Sequence, residues 1–138
     1  MPANFVHLKV HSEFSLVNGL VRIKPLAKAL AGQSMPAIAL TDQSNLCALV
    51  KFYNAMRGVG VKPIVGACVW LENPIEGDPP LRMTLLVKNS AGYLNLTELI
   101  SKAYTEGQKN GYATVQRDWL KNSSQGLIAL SGAKEGDI

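Results

Sequence analysis

From Phe5 to His11 the side chains alternate, so that Val6, Leu8 and Val10 fall on one face of a strand and Phe5, His7, Lys9 and His11 on the other. A turn at Asn18-Gly19 separates this stretch from a helical spacing in which Ile23, Leu26, Ala27 and Leu30 share one side. Pro25 stands near the start of that helix and Gly32 at its end. MPAIALTD is a continuous apolar run of strand length, the pattern of a parallel strand covered on both faces, and it ends at Thr41-Asp42. In NLCALVKFYNAMRG, Asn45 can cap a helix whose Leu46, Leu49, Val50, Tyr53 and Met56 recur at helical spacing before Gly58.

The second half repeats the alternation of types. VKPIVGACVWL reads as a strand with Gly66 inside it, ENPIEGDPP as a loop, and LRMTLLVKN as another strand. SAGYLNLTELISKAY is an amphipathic helix with Leu96, Leu99, Ile100 and Ala103 on its apolar stripe. GQKNGY breaks it, the stretch from Arg117 to Trp119 has no clear period, and GLIALSG is a last apolar strand. Strands and helices joined by short connections predict an α/β fold with a largely parallel sheet. In such folds function gathers at the carboxyl ends of the strands, here His11-Ser12, Thr41-Asp42-Gln43, the region of Cys68, and Ser131-Gly132.

The 138 residues are enough for one ordinary domain with a sizeable core. The net charge of +4 comes from scattered lysines and arginines, a balance that tolerates a nucleic-acid partner without predicting one. Cys47 and Cys68 make neither a disulfide framework nor a zinc spacing. The N-terminus lacks the features of a signal peptide, and no apolar run reaches the roughly 20 residues of a membrane helix, so the expected setting is the cytoplasm, with no membrane partner.

Chemistry at the strand ends is sparse. A metal-dependent phosphoesterase needs several His, Asp or Glu ligands to hold cations and lower the pKa of a bound water, and only His11 and Asp42 qualify. His7 lies two residues further from the strand end, about 6 to 7 Å away. Each has a structural alternative: a histidine satisfied within the fold, or an aspartate capping the following turn. Cys68 reads as core packing because no histidine is placed to activate its thiol. GACVW and SGAKEG match no phosphate-loop or dinucleotide fingerprint. Tyr53, Tyr93 and Tyr104 fall within helices, where core packing is the expectation over stacking on nucleic acid.

In their order, FVHLKVHSEFSLVNGL, MPAIALTDQSNLCALVKFY, GVKPIVGACVWL, GYLNLTELISKAY, RDWL and GLIALSG closely resemble the N-terminal PHP region of the bacterial DNA polymerase III α subunits, the C-family replicative polymerases. The resemblance implies that residues 1–138 are the N-terminal portion of an incomplete PHP domain, the first part of a distorted β/α barrel. Metal-binding members begin with a His-x-His pair, which aligns with Lys9 and His11, and continue with Thr-Asp-His, which aligns with Thr41, Asp42 and Gln43. They also carry a glutamate where this chain has Cys68. Of these five positions only His11 and Asp42 keep the ligand type, so the resemblance implies a degenerate site with no metal and no catalytic residue in this chain.

Three further expectations follow from the resemblance. Lys9 or its near neighbours should neutralise Asp42 in a buried polar cluster, replacing the charge of the lost metal. An incomplete barrel should expose a strand edge and uncovered apolar surface, and so either self-associate or rearrange in part to cover that edge. The module should help dock the proofreading exonuclease subunit, with DNA contacted only through the parent polymerase and Mg2+ needed only in the polymerase domain beyond this chain. The competing readings are an active PHP phosphoesterase or exonuclease, which requires divalent metal, and a free-standing α/β protein that uses the fold for another ligand.

Overall fold

The computed structural model describes residues 5–136; Met1–Asn4, part of the N-terminal stretch read above, lie outside the described residues. The chain forms two compact units that divide between Gly66 and Ala67. The elements run α1 (Ile23–Gly32), β1 (Ala37–Leu40), α2 (Leu49–Gly58), β2 (Lys62–Leu71), β3 (Leu81–Val87), α3 (Ser90–Thr105), β4 (Gln108–Lys109), β5 (Tyr112–Val115), α4 (Arg117–Asn122) and β6 (Leu127–Ser131). A 3-10 turn spans Glu13–Asn18 and a shorter one Ala133–Glu135.

In the first unit, β1 is buried at all four positions, as an uninterrupted apolar run requires, and pairs in parallel with β2 from Ala37↔Lys62 to Leu40↔Val65. α1 buries Ile23, Ala27 and Leu30, the spacing read from the sequence, with Leu26 half-covered at the edge of the same cluster. α2 differs from expectation. It starts at Leu49 rather than after Asn45, and it buries Phe52 and Met56, while Val50 is 72% and Tyr53 41% exposed. The Asn45 carboxamide oxygen accepts from the Cys47 amide, an Asx turn that delays helix entry. The core cluster joins Ile23, Leu30, Ile38, Leu40, Phe52 and Met56. Truncating Phe52, fully buried, costs about 3–5 kcal/mol by analogy with other large core residues.

The expected N-terminal strand is only partly formed. His7 makes one parallel bridge to Ile38, and the main chain donates back twice, Ala39 N to His7 O and Thr41 N to Val10 O, both at 2.8 Å. The Val10 amide turns to the Thr41 hydroxyl at 3.0 Å, so a side chain replaces a ladder bond and regular pairing stops.

In the second unit the strands follow the order β4-β5-β2-β3-β6, while β1 pairs with β2 off this path. β2 pairs in parallel with β5, whereas β3 with β6 and β4 with β5 are antiparallel. The sheet is therefore mixed rather than largely parallel. The missed hairpin is β4-β5: Gln108↔Ala113 and Lys109↔Tyr112 leave the two-residue turn Asn110-Gly111, both at positive φ (51° and 82°), the conformation Asn-Gly supplies at low cost. α3 is capped by Asn89, whose side chain accepts from the Gly92 amide at 3.0 Å, and it buries Leu96, Leu99 and Ala103. β6 ends the strand order, and its Ile128 is 47% exposed. Tyr93 and Tyr104, like Tyr53, are more than a third exposed, contrary to the expected core packing. Among the described residues no helix is long and apolar enough to cross a membrane.

Candidate functional site

The end of β1 carries a dense group of side-chain hydrogen bonds. Thr41 is fully buried; its hydroxyl accepts from the Val10 amide and donates to the Val10 carbonyl at 3.2 Å. Asp42, 2% exposed, follows it with a carboxylate that needs several donors if it is to remain charged out of water. Ser12 and Ser15 provide them. The Ser12 amide donates to Oδ1 at 2.6 Å, the Ser12 hydroxyl to Oδ2 at 2.8 Å, and the Ser15 hydroxyl to Oδ1 at 2.7 Å.

These serines also tie in the 3-10 turn. Ser12 Oγ accepts from the Phe14 amide at 3.2 Å as its N-cap, and Ser15 Oγ accepts from the Gln43 amide at 3.0 Å. Asn45 Nδ2 donates to the carbonyls of Phe14 and Gln43, at 3.0 and 3.1 Å. The far end of the turn is closed by the bridge Ser12↔Val21 and by the Glu13 amide donating to Val21 O at 2.9 Å. Gly19 passes so close to the Ser12 carbonyl that a Cβ there would overlap it. Outside, Glu13 pairs with Arg22 (3.7 Å) and Lys51 (3.8 Å), exposed contacts each worth about 0–1 kcal/mol.

The closed turn carries an apolar tip. Leu16, Val17 and Leu20 are 81%, 96% and 94% exposed, and Leu16 adopts φ 57°, ψ −100°, a conformation that costs a non-glycine residue about 1–3 kcal/mol. An open groove beside the tip is bordered by Lys9, His11, Asn18 and Leu20.

The five positions singled out in the sequence separate as follows. Lys9 is exposed and His11 half-buried, both at the groove. Asp42 is buried among the serines. Gln43 is half-buried, with its Nε2 donating to Ser44 Oγ at 3.2 Å, and Cys68 is fully buried in the part of β2 that belongs to the second unit. His7 is exposed and meets Phe5 edge-on at 4.8 Å. Of the expected neutralisation of Asp42 by Lys9 or its near neighbours, the part given to Lys9 is corrected: among the described residues no ion pair within 4 Å joins the two, and Ser12 and Ser15 donate to the carboxylate. Ser12 and Ser15 were missed because their bonds to Asp42 span 30 and 27 residues, a relation no local pattern encodes. Asn18 was read only as a turn residue.

The donor set does not fit a bound metal. Lysine is a poor ligand while charged, a carboxamide is a weak one, and both oxygens of Asp42 already accept hydrogen bonds. Among the described residues no group of three or more His, Cys, Asp or Glu side chains comes together.

Comparison with known proteins places this architecture. Residues 7–138 match the family model described as PHP domain. The chain is 59% identical over its full 138 residues to the DNA polymerase III subunit alpha of Pseudomonas aeruginosa, and 49% identical over 134 residues to that of Escherichia coli. It spans 12% of the length of each. Among solved structures it is similar to an amidohydrolase from Chromobacterium violaceum (TM-score 0.56, 19% identity, 71% of this chain and 32% of that one). It is also similar to a putative metal-dependent phosphoesterase from Bifidobacterium adolescentis (TM-score 0.55, 12% identity, 75% and 34%). At these identities the structural likeness concerns the fold, a mixed α/β arrangement of the PHP type. With the family model covering nearly the whole chain and the sequence matching the N-terminal region of the α subunits throughout, the chain belongs to the PHP domain family.

Proposed function

We propose that this chain is the N-terminal PHP portion of a replicative DNA polymerase α subunit, serving as a structural and docking module without metal chemistry of its own. DNA-directed DNA synthesis belongs to the parent protein, through a polymerase domain that uses Mg2+ and lies beyond these residues. Identity to the α subunits along the whole chain supports the parentage.

The observation that carries the module reading is the state of Asp42. Its carboxylate is committed to Ser12 and Ser15, and Lys9, Gln43 and Cys68 occupy positions where metal-binding members carry ligands. A phosphoesterase would need a free carboxylate and several more donors converging with it. The remaining role for such a module is protein contact, with the proofreading exonuclease subunit of the replicase as the partner and the cytoplasm as the setting.

Metal analysis of the purified chain, after exposure to zinc and manganese and removal of excess, tests the reading. The expected result is substoichiometric metal. One equivalent or more of bound zinc or manganese would overturn it in favour of an active PHP phosphoesterase or exonuclease.

A further inference from the structure

The charge of the chain is not shared evenly between its two units. With histidines neutral, Met1–Gly66 hold seven lysines and arginines against two carboxylates, a net +5, whereas Ala67–Ile138 hold seven against eight, a net −1. All seven cations of the first unit are exposed, while one of its two carboxylates, Asp42, is buried among Ser12 and Ser15. Basic residues that are scattered along the sequence therefore gather on one unit, the electrostatic footprint of a surface for a polyanion.

Two helices arrange them. α1 packs against α2, and Lys24 and Lys28 stand one turn apart on the same strip of α1. Glu13 reaches both Arg22, at the entry of α1, and Lys51, in the first turn of α2, so the basic ends of the two helices meet. Arg57 follows further along α2, about 9 Å beyond Lys51 at the helical rise. Among the described residues Lys24, Lys28 and Arg57 have no ion pair within 4 Å, so no carboxylate of the unit neutralises them.

The aromatic rings beside these cations narrow the class of polyanion. Lys51 lies over Phe14 at 5.3 Å, and Arg57 lies over Tyr53 at 5.7 Å while donating to its hydroxyl at 3.2 Å. Rings already faced by cations are poor platforms for unpaired bases, which argues against a single strand. A belt of cations with one carboxylate in it also lacks the mixed charges that fix a register on a protein surface. It matches the uniform phosphates of a duplex, which carries one charge per about 1.7 Å of axis.

We propose that the α1–α2 face of the first unit contacts the phosphate backbone of duplex DNA, without sequence preference. This adds a direct DNA contact to the protein contact proposed above, and it stands or falls apart from the metal reading.

Fluorescence anisotropy of a labelled mixed-sequence DNA duplex, titrated with the chain between about 50 and 200 mM salt, tests it, with unfolding midpoints measured in parallel. Lys24→Gln/Lys28→Gln is compared with Lys121→Gln/Lys134→Gln, which removes the same charge from exposed positions of the second unit. The first pair should weaken binding about tenfold or more at the lower salt and make log K against log salt shallower by about 2. The second pair should leave both nearly unchanged, and all midpoints should stay in place. Equal weakening by the two pairs would reduce the effect to net charge and overturn the assignment. So would an unaltered chain that shows no salt-dependent binding, or polyglutamate displacing the duplex at the same concentration of negative charge, which would point to an acidic protein instead. Lys24→Gln/Lys28→Gln placed in the parent polymerase should weaken its duplex binding too; an unchanged affinity there would mean that the face is covered in the longer chain, and would also overturn the proposal.

Discussion

The Ser12 hydroxyl donates to Asp42 Oδ2 at 2.8 Å while the Ser12 amide donates to Oδ1 at 2.6 Å, so one residue grips both oxygens of a carboxylate thirty positions away. Ser15 adds a third donor and passes the connection on to the Gln43 amide. The carboxylate thus acts as a knot between the 3-10 turn and the end of β1. Removing the acceptor leaves buried donors without partners, which costs more than the bonds themselves contribute.

Asp42→Ala is expected to lower stability by about 2–4 kcal/mol, and Ser15→Ala by about 1–2 kcal/mol, as measured by urea unfolding. Lys9→Met, at an exposed position with no ion pair to Asp42, should change it by less than about 0.5 kcal/mol. A large loss on Lys9→Met would restore the idea that its charge supports Asp42.

The close pass of Gly19 over the Ser12 carbonyl makes a second comparison. Gly19→Ala forces a Cβ into that backbone and should destabilise by about 1–3 kcal/mol. Gly32→Ala, where the new Cβ meets open space at the end of α1, should be neutral or slightly stabilising. Thermal or urea melts of the two variants check the contrast, and equal effects would mean that the loop relaxes around the added methyl.

A chelator gives a third. With Asp42 bonded to serines, the proposed metal-free module is expected to keep its unfolding midpoint in EDTA. A midpoint that fell on chelation and recovered on adding zinc or manganese would show a structural ion.

β6 provides the fourth. It closes the strand order with an apolar sequence, LIALS, that carries no charge or proline to discourage pairing. Light scattering coupled to size exclusion is expected to show concentration-dependent association of the chain, reduced by Ile128→Lys. A monomer at all concentrations would mean that the edge is protected in solution.

Much of the scaffold was legible because uninterrupted apolar runs and helical spacings are local signals. β1, β2, β3, β6, α1 and α3 all follow from them. The failures have specific causes. The Thr41 hydroxyl took the place of a ladder bond and broke the first strand. The Asn45 side chain formed a turn and delayed the start of α2, which buries Phe52 and Met56. β4 has two residues, too few to show a period, although Asn110-Gly111 is a hairpin signal in its own right. The family resemblance pointed to Lys9, His11, Asp42, Gln43 and Cys68, but not to the serine network around Asp42. Hydrogen bonds across 27 to 30 residues leave no trace in composition or spacing.

The closed turn separates two properties that surface loops normally share. Its tip side chains, Leu16, Val17 and Leu20, face water, yet its main chain is bonded inward, with the Glu13 amide on Val21 O and the Ser15 amide on Ser12 O, both at 2.9 Å. In deuterium exchange these two amides should therefore be protected well beyond what the exposed tip beside them suggests, and Asp42→Ala should release both together. The tip then behaves as a small cooperative unit whose opening is governed by a carboxylate it does not itself contain.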